Sequence, residues 1–415
     1  MARFFAAVGL VLTTSLVVAS SETLDVRHQA SGTNSKFNFA GSQFDDYIRA
    51  TREMILSART DLKAANDAAH VVDSNTPFLL KPSSGCPAGK EKRYRRGVLL
   101  THGLTDSPYF MRPLGRIFQD QCFLVMAILL PGHGTRPGDL LEVTWQEWAK
   151  AVAFGVDALA REVDSVYLGG FSTGGALSIQ RSIHDSRIRG VFLFAPAVKI
   201  SPLGIMANWH EAYSWLSPKS KWLDIAPDTD PYKYESFPAN AADQIHLLTV
   251  QLASDLNRQK RFMPPVFAAV SEDDASVLSS ATVQFFREAI HPLSTLVLYT
   301  TNTKRSTTPD ISSDKVKVIN SYLPEKRILS SAHTAIVLPP DDPHYGASGK
   351  YASCLHYYPK TMDKYRQCKS KNEDFLGEVT ESNLKKGVVR RLTYNFDFAN
   401  LKALLTSFVE SLPSE

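Results

Sequence analysis

The sequence predicts an α/β architecture, a mostly parallel, doubly wound sheet covered by helices on both faces and interrupted by an inserted helical lid. Three observations carry that expectation. Short, almost wholly apolar segments recur between residues 98 and 299, as strands buried on both faces require. The segments between them space their apolar residues with helical rather than alternating period. The stretch at 166–178, VYLGGFSTGGALS, runs from such a strand through a glycine-rich turn into a helix.

At 415 residues, 44% hydrophobic and 21% charged, the chain is long enough for one large core and too apolar for disorder to be the default. A formal net charge of +4 is small for this length. The most basic run, KEKRYRR at 90–96, sits directly before an apolar strand, and no basic surface interleaved with aromatics occurs elsewhere. We read the run as a solvated turn and expect no nucleic-acid partner.

Taken in order, the chain opens with Arg3 and then the uncharged stretch FFAAVGLVLTTSLVVA, followed by Glu22 and Asp25. Its length and the small residues at 17–19 suit a secretory signal peptide over residues 1–21, with an uncleaved anchor as the alternative. The protein is therefore expected to be exported, periplasmic or secreted, or else held at a membrane through this segment. The 4 cysteines fit an oxidising compartment. They permit three pairings. Position favours Cys86 with Cys122 and Cys354 with Cys368, the alternative being buried free thiols. No C-x-x-C spacing occurs, so no zinc or redox site is implied.

Residues 22–96 form a lead-in: a polar stretch at 31–43, then an amphipathic helix from Phe44 to about Leu62, with Pro77 and Pro82 breaking the pattern before the first strong strand. The main domain is expected over 97–415. Strands are predicted at 98–101, 123–130, 165–171 and 189–194, with helices at 109–118, 145–162 and 176–183. The alternation stops at about 198. From there to about 262 the chain is rich in Trp, Tyr, Pro and Leu, with Trp209, Trp215, Trp222, Tyr232 and Tyr234, and reads as the lid. Strand, helix and strand resume at 265–270, 277–290 and 295–299, and a short strand is expected at 327–329. Polar insertions are expected at 301–325 and about 340–386, and a closing helix at about 396–412.

Within this frame Gly170-Phe171-Ser172-Thr173-Gly174 fits G-x-S-x-G, the strand-to-helix turn that exposes a nucleophilic serine. A serine hydroxyl needs a base, a group to orient the base, and donors for the oxyanion that forms. In an open parallel sheet each should follow a strand, because the carboxyl ends of the strands meet at one crevice. The strand at 265–270 runs into Ser271-Glu272-Asp273-Asp274. Asp274 is the preferred acid and Asp273 the second choice, with helix capping the alternative role for either. Of the histidines that follow, His291 closes a helix and His344 lies in a polar loop. His333, in a loop of small residues, is the expected base. The backbone N–H groups of Leu104, beside a glycine, and Thr173, after the serine, are the expected oxyanion donors. His102 reads as a structural histidine bonded to backbone, and His133 as a turn residue.

LLTHGLTDSPY at 99–109, LLPGHG at 129–134, TWQEW at 144–148, GFSTGG at 170–175, the turn at Asp274 and the pair Ala332-His333 together resemble the α/β-hydrolases, in the branch of bacterial carboxylesterases, monoacylglycerol lipases and serine aminopeptidase-like members. The resemblance spans about residues 97–333. It implies Ser172 as nucleophile, Asp274 as orienting acid, His333 as base, Leu104 and Thr173 as oxyanion donors, and a lid before the acid. It further implies cleavage of a small carboxylic ester through an acyl-enzyme, with no metal or organic cofactor. The aromatic lid suggests an apolar acyl or alcohol group and proximity to lipid. The alternatives are a peptidase or amidase on the same residues, or a catalytically silent binding protein. The sequence departs from the family pattern at Ser271, where glycine is frequent, and in the long insertion after His333.

Overall fold

The computed structural model describes residues 23–34, 39, 42–64, 67–200, 218–258, 263–288, 291–302, 314–372 and 374–413. The expected signal peptide at 1–21 lies outside them, as do Trp209 and Trp215 of the expected lid and residues 303–313 of the first insertion.

The strands in chain order are β1 (Phe78–Leu80), β2 (Tyr94–Thr101), β3 (Phe123–Ile128), β4 (Val163–Phe171), β5 (Ile188–Phe194), β6 (Trp222–Asp224), β7 (Phe237–Pro238), β8 (Val266–Ser271), β9 (Thr295–Thr300), β10 (Val316–Asn320), β11 (Phe375–Gly377) and β12 (Val389–Arg391). The main sheet has 8 strands in the order β1-β3-β2-β4-β5-β8-β9-β10. Every neighbouring pair in it is parallel except β1 with β3. The helices are α1 (Phe44–Ala58), α2 (Ala68–Asn75), α3 (Arg112–Asp120), α4 (Trp145–Glu162), α5 (Thr173–His184), α6 (Ala239–Arg258), α7 (Ser279–Glu288), α8 (Met362–Lys369), α9 (Glu381–Leu384) and α10 (Phe398–Ser411).

The alternation of side chains along each strand divides the interior into two cores. Leu99, Leu124, Leu168 and Leu193 point to one face, where Trp148 of α4, Leu177 of α5 and Leu248 of α6 pack. Val98, Leu100, Val125 and Phe192 point to the other, against Leu114 and Phe118 of α3 and Leu405 and Phe408 of α10. Each large apolar side chain so buried contributes roughly 1.5–3 kcal/mol. The sheet is thus wound on both faces. Of the helices beneath the first core, α4 starts at a capping box, in which Thr144 accepts from the Glu147 amide and Glu147 accepts from the Thr144 amide.

Several boundaries differ from expectation, each with a local cause. β1 is three residues hemmed by Pro77 and pairs antiparallel at the sheet edge, too short to leave a periodic signal. The last strand of the main sheet is β10, inside a segment expected to be a polar insertion, because an edge strand carries Lys317 and leaves Val318 exposed. Residues 327–329 form no strand; Ile328 makes only isolated bridges to Leu323 and Leu376. α7 starts at Ser279 because Val277 bridges Ile200 and the Leu278 amide donates to the Lys199 carbonyl at 2.9 Å. β3 stops at Ile128 because the next amides turn to side chains, Leu129 to the Tyr47 hydroxyl and Leu130 to His102.

Cys86 is bonded to Cys122, and Cys354 to Cys368. Among the described residues, no helix is long and apolar enough to cross a membrane.

Candidate active site

The carboxyl ends of β2 and β4 are flush, with Thr101 opposite Gly170, so the turns that follow them open at the same edge. Ser172 occupies the turn between β4 and α5 at φ 52° and ψ −113°, a conformation L-residues avoid at a cost of about 1–3 kcal/mol. Its backbone is fixed on both sides. The Ser172 amide donates to the Phe194 carbonyl at 2.9 Å, and its carbonyl accepts from Ala176 at 3.1 Å and Ala197 at 2.9 Å. The two motif glycines let α5 come this close to the sheet. A Cβ on Gly170 would stand 2.2 Å from backbone of Gly174, and one on Gly174 would stand 2.0 Å from the Thr101 carbonyl oxygen.

His333 comes from the loop beyond β10, at the start of a short 3-10 turn. Its Nε2 lies 3.0 Å from Ser172 Oγ, and its Nδ1 lies 2.6 Å from Asp274 Oδ2. A carboxylate only accepts, so Nδ1 carries the proton and the Nε2 lone pair faces the serine hydroxyl. Asp274 follows β8. Its second oxygen, Oδ1, accepts the amides of Ser276 at 2.8 Å and Val277 at 2.9 Å. Burial disfavours its charge, but the His333 imidazole, the Val277 amide and the Arg391 guanidinium outweigh burial and hold its pKa below the ordinary value.

Asp273 is separated from this line of contacts. Its Oδ2 is buried without a partner, and burial together with Glu272 and Glu378 pushes its pKa up to about 6. The other histidines lie elsewhere: His291 accepts from the Leu293 amide, and His344 stands 3.3 Å from Asp230.

Leu104 and Thr173 line the same cavity as Ser172 and His333. Thr173 opens α5, so its N–H has no intrahelical acceptor. The loop bearing Leu104 is braced by two buried neutral imidazoles. His102 donates from Nδ1 to the Gly103 carbonyl at 2.8 Å and accepts the Leu130 amide on Nε2 at 3.0 Å. His133 donates to the Pro131 carbonyl at 3.1 Å and accepts the Thr105 amide at 3.2 Å. Burial drives the His102 pKa well down and holds that of His133 at about 4, so neither is positioned or poised to act as a base near neutrality.

The cavity above Ser172 has a volume of about 350 Å³. Phe171, Ile200, Phe237, Ile245, Val277 and Leu355 give it an apolar wall, while Asp106, Lys233, Thr334 and Arg391 give it a polar one. Phe237 and Ile245 come from the segment expected to be the lid. Lys233 stands 3.8 Å from Asp106, whose pKa burial raises to about 6 against the pull of Lys233 and His333. Sequence reading singled out none of these four as a site residue. Asp106, two positions after Leu104, was the one within reach of a motif; Lys233 and Arg391 carry no local signal. Among the described residues, no group of three or more His, Cys, Asp or Glu side chains is arranged to hold a metal ion.

A model of the alpha/beta hydrolase family matches residues 98–301. The chain is 30% identical over 179 residues to a thermostable monoacylglycerol lipase of Bacillus sp. (strain H-257), covering 43% of this chain and 70% of that protein. It is 22% identical over 194 residues to a carboxylesterase of Bacillus subtilis (strain 168), covering 46% of this chain and 78% of that one. Among solved structures it is similar to the Paleococcus ferrophilus monoacylglycerol lipase, with a TM-score of 0.42 and 20% identity, over 54% of this chain and 88% of that chain. The parallel sheet, the strained serine turn after β4 and the match to a relative over most of that relative's length lead to one conclusion: the chain belongs to the alpha/beta hydrolase family.

Proposed function

We propose that the protein is an exported serine hydrolase that cleaves carboxylic esters through an acyl-enzyme on Ser172. The observation that carries this reading is the unbroken run of contacts from Ser172 Oγ through His333 to Asp274, at 3.0 and 2.6 Å, ending on a serine in a strained strand-to-helix turn. His333 Nε2 takes the hydroxyl proton as Oγ attacks the ester carbonyl, and Asp274 stabilises the resulting imidazolium. The N–H groups of Leu104 and Thr173 receive the oxyanion. As the tetrahedral intermediate collapses, the alkoxy C–O bond breaks and His333 returns the proton to the departing alcohol. Water then repeats the sequence on the acyl-enzyme, releasing the acid and restoring Ser172.

The names of the relatives, a monoacylglycerol lipase and a carboxylesterase, support an ester as substrate. The apolar wall suits an apolar acyl or alcohol group, and Phe237 and Ile245 of that wall come from the segment we read as a lid. Cleavage of a free peptide amino terminus is less well served, since two of the three cavity carboxylates are already engaged, Asp106 with Lys233 and Glu235 with Tyr351 and Thr229, and the third, Asp224, is exposed to solvent. The two disulfides suit an oxidising compartment, in keeping with a signal peptide at the N-terminus.

Ser172→Ala tests the reading. Turnover of p-nitrophenyl esters is expected to vanish while the circular dichroism spectrum stays that of the parent; substantial turnover by the folded variant would refute it.

A further inference from the structure

The family match ends at residue 301, yet the loop bearing His333 is held by a segment beyond it. β11 and β12 pair in parallel, and the residue after each strand reaches back to that loop. The Leu329 amide donates to the Leu376 carbonyl at 2.7 Å, the Glu378 amide to Ser330 Oγ at 3.0 Å, and Thr334 Oγ to the Leu392 carbonyl at 2.8 Å.

At the centre of this packing lies a buried ion pair. The Glu378 side chain is fully buried, and its Oε2 accepts the His333 amide at 2.9 Å. Arg391 Nη2 donates to the same Oε2 at 2.9 Å and to Ser276 Oγ at 2.8 Å, while its Nε makes an ion-pair contact with Oε1 at 2.7 Å. The Ser276 amide in turn donates to Asp274 Oδ1, whose Oδ2 meets His333 Nδ1. The contacts close a ring: His333 backbone, Glu378, Arg391, Ser276, Asp274, His333 imidazole.

We propose that Glu378 and Arg391 are positioning residues that lock the His333 loop to the Asp274 turn, so that the imidazole is held on line between carboxylate and serine. This deepens the Ser172 reading and rests on it. The physical reason for such a brace is that His333 and Asp274 come from separate loops, joined otherwise by the side-chain contact between them and by the Ser271 hydroxyl, which donates to the Ser331 carbonyl at 3.2 Å. A misplacement of about 1 Å in such a constellation lowers turnover on the order of 100-fold. A buried pair is a poor device for stability alone, because desolvating two ions offsets most of their attraction. It does define geometry, since the planar guanidinium reaches both loops from one rigid fork.

Glu378→Gln keeps the shape but turns an N–H₂ group toward donors, breaking the ring at one link. Because it leaves the Arg391 charge unmatched, Glu378→Gln with Arg391→Met is the companion variant, which removes both charges and carries the test if the single variant does not fold. Active sites are counted by end-point reaction with a fluorophosphonate, and kcat and KM for a p-nitrophenyl ester are expressed per titrated site. A residue that merely stabilises the fold would change the number of sites and leave the rate per site alone. The brace predicts kcat per site lower by roughly 10- to 100-fold in both variants, with KM for Glu378→Gln within about threefold because Glu378 does not line the cavity. Folded variants with kcat per site within twofold of the parent overturn the brace and leave the Ser172 reading intact. A parent enzyme that takes no phosphonate on Ser172 overturns both.

Discussion

Asp273 and Asp274 are adjacent carboxylates with opposite fates, and the difference lies in what each oxygen meets. Asp274 gains an imidazole and two amides, which keep it ionised; Asp273 keeps one buried oxygen with no partner beside the acidic Glu272 and Glu378. The Asp273 pKa rises from 3.8 to about 6, so folding favours its protonated form. The stability linked to it is fully present below pH 3.8 and is lost as pH rises through about 6. Asp273→Asn, which cannot ionise, is therefore expected to melt about 1–2 °C above the parent at pH 8, and no higher than the parent at pH 4. Thermal melts at the two pH values check this, and an equal gain at both would show that charge is not the cause. Asp274 runs the other way. Its depressed pKa lends stability above the ordinary carboxylate range that is lost only on acidification. The sequence narrowed the acid to these two neighbours by their place after a strand. It could not show that a distant Glu378 would face Asp273 and an imidazole Asp274.

At the scale of elements, the strand-turn-helix unit from β4 to α5 is the part of the fold with least room. The space that Gly174 leaves empty is the approach of α5 to the end of β2, and Thr101 cannot retreat without giving up its register with Gly170. Gly174→Ala is expected to destabilise the protein by roughly 3 kcal/mol or more, read as a lower Tm and a loss of soluble folded enzyme. A variant as stable as the parent would mean that this packing is looser than the geometry implies. The central strands were legible because full burial demands continuous apolar runs, and α4 because its apolar residues recur with helical period. The edges were not. β1 is too short for periodicity, and β10 mixes lysine with valine as a solvent-facing edge does. The strand expected at 327–329 dissolved into bridges because Ile328 is shared between Leu323 and Leu376 rather than paired along a ladder.

Across the whole molecule, the candidate site gathers side chains from residues 172, 274 and 333, and its surroundings add 378 and 391. The first three were readable because each follows a strand or a small-residue loop in a recognisable order. The last two were not, because nothing in the local sequence of a polar insertion tells which of its charges will be buried. The same insertion carries the Cys354–Cys368 bond, while Cys86–Cys122 joins the lead-in to the start of β3. With sequence separations of 14 and 36, the two bonds restrict the unfolded chain by roughly 3 and 4 kcal/mol. They hold together regions that the family match covers only in part. All of these features serve a single claim, that one hydroxyl is made nucleophilic by the imidazole beside it. Peptide mapping by mass spectrometry after reaction with a fluorophosphonate tests it most directly: the adduct is predicted on Ser172 alone, and an adduct on a different serine, or none from enzyme that still hydrolyses esters, would contradict the account.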